Sequence, residues 1–299
     1  MKFGIIANMA RPDAEKVVRR IFQWAEKHGV ELYLSSQIKG LDVPHRALPQ
    51  EELPGQCDVI VSLGGDGTML ASARAVRDRG TPILGINLGS LGFLTQLTPI
   101  VLEETLTAVL EKRHKIEKRM VASVEIENGT PLEFPWALND VVVDRGAVSR
   151  IINLDLYAND YFICSYAADG LIVATPTGST AYSLAVGGPI INPLMHAFIV
   201  APISAFALTT RPILFSADDE LRVVVRSRHC DPMLTLDGQI SCFLPKTSSF
   251  IVRKADYDIN FIVFRKNSFY DVLRDKLHWG RLPEGDGGGE KNSDLGRTG

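Results

Sequence analysis

Apolar positions in the first third of the chain alternate between two textures. Short unbroken runs at 2–7, 31–34, 59–63 and 82–86 read as buried strands. Between them, apolar residues recur at helical spacing. Val17, Val18, Ile21, Phe22 and Ala25 outline one helix, closed by His28-Gly29, and 68–79 outlines another. Strands and helices in alternation predict a parallel sheet covered by helices. After a charged helix expected to end near Lys118, the pattern changes to β-rich segments at 121–127, 141–143, 151–157, 161–166, 171–174, 221–225 and 250–252. Gly129-Thr130 and Asn159-Asp160 read as hairpin turns, and 269–277 as a final helix. The expected fold class is therefore an α/β domain over 1–118, completed by 265–282, followed by a mostly β domain over 119–264. The tract 283–299 has nothing to bury and is expected to be disordered.

Chemistry concentrates where the apolar pattern breaks. Leu63-Gly64-Gly65-Asp66-Gly67-Thr68 joins the strand at 59–63 to the next helix, so a glycine-rich turn and a helix N-terminus face the same way. Bare N–H groups and the positive helix end suit phosphate. Asp66 repels phosphate, so it either takes a proton from an attacking hydroxyl or holds a metal that offsets the repulsion. Both readings mean phosphoryl transfer; a plain turn capped by Asp66 is the ordinary alternative. The loop Asn87-Leu88-Gly89-Ser90-Leu91-Gly92-Phe93 ends the next strand, so two glycine-rich loops are expected to face one crevice.

A second tract, 174–189, packs hydroxyls, glycines and prolines between apolar segments. Thr177, Thr180 and Ser183 open a short helix ended by Gly187-Gly188, a cluster of donors suited to ribose and phosphate oxygens. Asn139-Asp140 enters a strand, where the two side chains could hold the two hydroxyls of a ribose. Asp169-Gly170 and Asp237-Gly238-Gln239 read on their own as turns.

Composition narrows the partners. The 299 residues carry a formal net charge of −3 and no dense Lys/Arg stretch, which argues against nucleic acid. No apolar run reaches membrane-spanning length and the N-terminus lacks a signal-like apolar region, so a soluble cytoplasmic protein is expected. Cys57, Cys164, Cys230 and Cys242 lie far apart without ligand spacing and read as reduced thiols.

In this order the motifs resemble the NAD kinase family. Gly64-Gly65-Asp66-Gly67-Thr68 is similar to its glycine-rich signature, Asn139-Asp140 to its Asn-Glu/Asp pair, and 177–189 to its Thr/Gly-rich tract. Gly85-Ile86-Asn87-Leu88-Gly89 with Leu91-Gly92-Phe93-Leu94, and Asp237-Gly238-Gln239, match as well, over roughly residues 2 to 280. The resemblance implies a two-domain enzyme that phosphorylates the adenosine ribose 2'-hydroxyl of NAD, with ATP as donor and a divalent metal such as magnesium. By that likeness Asp66 is the base. Gly64, Gly65, Gly67 and Thr68 leave room for donor phosphates, and Phe93 borders the nucleotide. Asn139, Asp140, Asp169, Thr177 and the stretch Thr180, Ala181, Tyr182, Ser183, Leu184 and Ala185 hold NAD, with Arg150 and Gln239 lining the same pocket. The family commonly forms dimers or tetramers, so a homo-oligomer is implied, with some of these residues acting across a subunit boundary. Ala185 and Ala167 depart from the family pattern, where serine and, in some bacterial members, arginine stand. Whether NADH or polyphosphate is accepted is not legible.

Two rivals share parts of this pattern. A diacylglycerol- or sphingosine-type lipid kinase also has Gly-Gly-Asp-Gly, but the chain shows no basic amphipathic helix, and 87–93 does not follow the lipid-kinase pattern. A dinucleotide sensor that binds without turnover gains nothing from Asp66 beside phosphates.

Overall fold

The computed structural model describes residues 1–41, 46–127, 129, 131–147, 150–229, 231–264 and 268–277. The 283–299 tail, Thr130 of one expected hairpin turn, Cys230, and 265–267 with 278–282 lie outside the described residues.

The N-terminal third is a parallel sheet of β1 (Lys2–Ala7), β2 (Glu31–Ser35), β3 (Arg46–Leu48), β4 (Val59–Gly64) and β5 (Ile83–Asn87), in the order β3-β2-β1-β4-β5. Every residue of β4 and β5 is buried, as strands covered on both faces must be. On one face α1 (Ala14–His28) buries Val17, Val18, Ile21, Trp24 and Ala25, and Gly29 ends it in the left-handed conformation (φ 64°). The opposite face carries α2 (Leu53–Gln56) and α3 (Asp66–Val76), and α4 (Leu102–Leu110) packs beside α1.

Two long strands extend this sheet into the β-rich part. β6 (Lys115–Glu127) is followed by β7 (Trp136–Ala137), β8 (Asp140–Asp144), β9 (Ile152–Ala158), β10 (Tyr161–Ala168) and β11 (Gly170–Ala174). After α5 (Tyr182–Ala185) come β12 (Ala197–Ile203), β13 (Ile213–Ser216), β14 (Leu221–Arg226), β15 (Met233–Leu236), β16 (Ile240–Phe243), β17 (Thr247–Val263) and α6 (Phe269–Leu277). β17 pairs with β14 along its first half, lies parallel to β5 near its end, and is antiparallel to β6 along most of its length. A second sheet, β13-β12-β11-β8-β15-β16, is antiparallel throughout and encloses the largest apolar core against β9, β14 and β17. An α/β part with a parallel sheet and a mostly antiparallel β part thus share one continuous sheet.

The expected helix through Lys118 ends at Leu110 instead. Residues 115–118 are strand because Val263 to Asn260 of β17 offer them a ladder, and tertiary pairing overrides the helical look of a Lys/Glu-rich stretch. Residue 118 therefore lies inside β6. Cys57 is buried and Cys164 and Cys242 half-buried, all three as free thiols; burial pushes the Cys57 thiol up to about 12, which leaves it unreactive. Among the described residues no helix is long and apolar enough to cross a membrane.

Candidate active site

β1, β4 and β5 run parallel, so their C-terminal ends, at Ala7, Gly64 and Asn87, open on one side. Open parallel sheets hold ligands there. β4 passes into α3 through Gly65 alone, which aims the positive end of α3 into a crevice of about 490 Å³. Asn8, Arg11, Gln37 and Gln50 line it with Gly65, Asp66, Gly67 and Thr68. Nothing lies within 4 Å of where a Gly65 Cβ would stand, so the missing side chain leaves its room to the crevice.

Asp66 stands at the crevice edge with its carboxylate engaged. Its Oδ2 accepts the Phe93 N–H at 2.9 Å, and its Oδ1 accepts the Leu94 N–H at 3.0 Å, the Thr95 N–H at 3.2 Å and the Thr95 hydroxyl at 3.1 Å. A Cβ at Gly92 would lie 1.9 Å from Asp66 Oδ1, so glycine is what lets this loop close on the acid. Asn87 fastens the same loop by donating Nδ2 to the Ser90 carbonyl and the Thr95 hydroxyl. Lys276 of α6 sits 4.9 Å from the centre of the Phe93 ring.

A second group gathers at the end of β11. There Ala174 pairs with Asp140, the first residue of β8. The turn after β11 lies directly on the backbone before β8: Thr175 donates its N–H to the Asn139 carbonyl at 2.8 Å and its hydroxyl to the Leu138 carbonyl. A Cβ on Gly178 would stand 2.0 Å from the Asn139 carbonyl oxygen. The Tyr182 N–H reaches the Asp140 carboxylate from α5. Asp140 is only 5% exposed; burial first and the neighbouring Asp237 second push its carboxyl up to about 7, against the Tyr182 N–H.

Three polar atoms here are buried without any protein partner: Asn139 Oδ1, Thr177 Oγ1 and Ser183 Oγ. Such atoms are normally paired, and none of the three has a partner within the chain, which suits them to a ligand's hydroxyl and amide groups. Thr180, Ala181 and Leu184 are half-buried around them, and Tyr182 and Ala185 are exposed. Gln239 ties the two groups together by donating Nε2 to the Gly67 carbonyl at 3.2 Å.

Asp169 and Arg150 do not join this cluster. Asp169 precedes Gly170 at the opposite end of β11, about 16 Å along the strand from Ala174, and pairs with Arg145 at 2.8 Å. Arg150 is exposed just before β9, whose Ile152 lies opposite Ala168, next to Asp169. Residues 8, 11, 37 and 50, unassigned from sequence, were partly detectable: the first three follow the ends of expected strands 2–7 and 31–34, the side on which a parallel sheet binds. Gln50 gave no such signal. Among the described residues no three Asp, Glu, His or Cys side chains converge as a metal cage.

Comparison with known proteins fits this geometry. The model of the ATP-NAD kinase N-terminal domain matches residues 3–114 and that of the ATP-NAD kinase C-terminal domain residues 138–264. An NAD kinase of Desulforamulus reducens is 41% identical over 276 residues, 92% of this chain and 96% of that protein. One from Solibacter usitatus is 39% identical over 279 residues, 93% of this chain and 97% of that protein. In structure, an NAD kinase from Archaeoglobus fulgidus solved with ATP matches with a TM-score of 0.77 at 27% identity, covering 93% of this chain and 99% of that one. The yeast NADH kinase solved with NADH shares the fold, with a TM-score of 0.85 at 24% identity over 95% of this chain and 90% of that one. Two domain models in the expected order and relatives alike along nearly their whole length place this chain in the NAD kinase family.

Proposed function

We propose that the protein transfers the terminal phosphoryl group of ATP to the 2'-hydroxyl of the adenosine ribose of NAD, giving NADP and ADP. One observation carries the reading: the turn that binds the Leu138–Asp140 backbone through Asp237 also reaches the crevice, where Gln239 donates to the Gly67 carbonyl. The names of the relatives support the same pair of substrates. In this reading the donor phosphates enter the crevice over Gly64, Gly65, Gly67 and Thr68, with Arg11 supplying the positive charge. Asn139, Asp140, Thr177 and Ser183 take the ribose and adenine side of NAD, with Thr180 to Ala185 and Gln239 around it, and Phe93 borders the nucleotide.

Asp66 accepts the 2'-hydroxyl proton as oxygen bonds to phosphorus and ADP leaves. Its Oδ1 is taken by Leu94 and Thr95, while Oδ2 accepts only the Phe93 N–H and keeps a lone pair for the hydroxyl. Positioning and charge compensation supply the rest of the barrier reduction. A divalent metal would be held mainly by the triphosphate oxygens and would offset the phosphate charge; among the described residues no three Asp, Glu, His or Cys side chains converge to hold one. Asp169 and Arg150, set at the far end of β11, serve a site built by a second copy of the chain, which makes the working enzyme a homo-oligomer. The protein acts in the cytoplasm.

Purified protein incubated with NAD, ATP and magnesium should form NADP, and diacylglycerol in place of NAD should remain unphosphorylated. Binding of NAD without NADP formation would leave the sensor reading standing. Two further outcomes follow. Arg11→Ala raises the KM for ATP about tenfold with a smaller change in kcat, the loss of one charge-assisted phosphate contact, measured by ATP titration at saturating NAD. Asp140 accepts a ribose hydroxyl more strongly as a carboxylate than as the neutral acid, so kcat/KM for NAD rises as pH is raised through about 7 and levels off above it, read from a pH series at saturating ATP.

A further inference from the structure

We propose that Asp237 is a positioning residue for the NAD side of the site: its carboxylate fixes the Leu138–Asp140 backbone so that Asn139 and Asp140 present their side chains to the ribose. The inference rests on the functional reading above and adds to it a residue that contacts no substrate.

Asp237 and Gly238, at φ 53° and 63°, are the central residues of the turn in the three-residue connection Asp237–Gln239 between β15 and β16, closed by the Gln239 N–H on the Leu236 carbonyl. Asp-Gly is a favoured pair for that left-handed turn, and here the aspartate side chain also makes contacts outside it. Oδ1 accepts the Asn139 N–H at 2.7 Å and the Asp140 N–H at 3.3 Å, and Oδ2 accepts the Leu138 N–H at 3.0 Å. The Asp237 N–H returns a bond to the Asp140 carbonyl at 2.9 Å. Four hydrogen bonds therefore join one turn to three consecutive residues, two of which carry the polar groups of the ribose place. Both carboxylate oxygens are thus engaged by the backbone.

The same turn reaches the donor side. Gln239 donates to the Gly67 carbonyl, and Arg74, one α-helical stretch beyond the glycine loop on α3, is the cation whose charge bears on Asp237. A single hairpin turn thus sets the spacing between the acceptor backbone and the phosphate loop. The groups facing Asp140 are Asp237 from this turn, the Tyr182 N–H from α5 and, beyond Asp237, Arg74 from α3. Burial holds both carboxyls above their ordinary values, and the three backbone donors work against that shift at Asp237.

The test is Asp237→Asn in the full chain, with Asp237→Gly as a second variant that satisfies the turn without any side chain. The expected result is a KM for NAD, and an NAD dissociation constant by calorimetry, raised about 10- to 100-fold, with kcat within about threefold of the parent and the KM for ATP unchanged. The rise of kcat/KM with pH should also move to lower pH in both variants, because Asp140 loses a negative neighbour; a merely structural defect would lower active enzyme without moving this midpoint. An unchanged KM for NAD in either folded variant overturns the proposal, as does an equal loss for NAD and ATP. Absence of NADP formation by the parent protein overturns the functional reading itself, and is distinguished by being seen before any variant is made.

Discussion

Replacing Asp66 by asparagine lowers turnover by about 100- to 10,000-fold while the protein still folds and still binds NAD, the range that loss of a general base gives. A ribose hydroxyl is a poor nucleophile, and among the described residues no other carboxylate lines the crevice. The amide removes the proton acceptor but keeps the size of the side chain. It also turns an NH2 group toward a loop that offers only donors, the N–H groups of Phe93, Leu94 and Thr95, so some loosening of that loop accompanies the loss. Gly92→Ala separates the two effects. Its Cβ would displace the Asp66 carboxylate from the loop while leaving the acid in place. If Asp66 serves as base, Gly92→Ala weakens nucleotide binding with a smaller loss in kcat than Asp66→Asn; steady-state kinetics on both variants give the comparison. Equal kcat in Asp66→Asn and the parent would remove Asp66 from the chemistry and leave it as a loop anchor.

Gly178→Ala should be the most damaging change on the NAD side. An alanine methyl would stand 2.0 Å from the Asn139 carbonyl oxygen, 2.5 Å from its carbon and 2.9 Å from its Cα. All three are backbone atoms, and the four bonds to Asp237 hold that backbone in place. The two turns must therefore separate by an ångström or more. Overpacking of this kind costs about 1–3 kcal/mol of stability. Because Asn139 moves with its carbonyl, kcat/KM for NAD should fall about 100-fold, the scale set by misplacing a binding group by about 1 Å. Thermal unfolding and NAD titration measure the two effects separately. A variant that keeps the parent's KM for NAD would show that the Thr175–Gly178 turn does not set the position of Asn139.

What could be read from the sequence follows from how local each signal is. The apolar run 59–63 and the Gly-Gly-Asp-Gly tract after it declare a buried strand and a strand-to-helix junction by themselves; the structure keeps the strand and shortens the turn to Gly65, with Gly64 ending β4 and Asp66 and Gly67 already in α3. Lys115–Glu127 was read partly as helix because its strand state depends on β17, more than 120 residues away. Ala197–Ile203 carried no period to mark it, as both its faces are covered. The candidate site divides the same way. Asn139, Asp140, Thr177 and Ser183 were legible as polar residues breaking apolar runs, and the structure brings them together. The role of Asp237 was hidden because Asp-Gly is an ordinary turn dipeptide whose side-chain partners lie about a hundred residues earlier. Gly92 gave no sign of its closeness to Asp66 for the same reason. Asp169 and Arg150 were grouped with the others through family likeness, and one chain places them at the far end of β11.

The most direct measurement is a crystal structure of the protein with NAD bound. The account predicts the adenosine ribose 2'-oxygen within hydrogen-bond reach of an Asp66 carboxylate oxygen, about 2.6–3.2 Å, at Oδ2, which accepts only the Phe93 N–H. A bound NAD whose 2'-oxygen lies remote from Asp66 would contradict it.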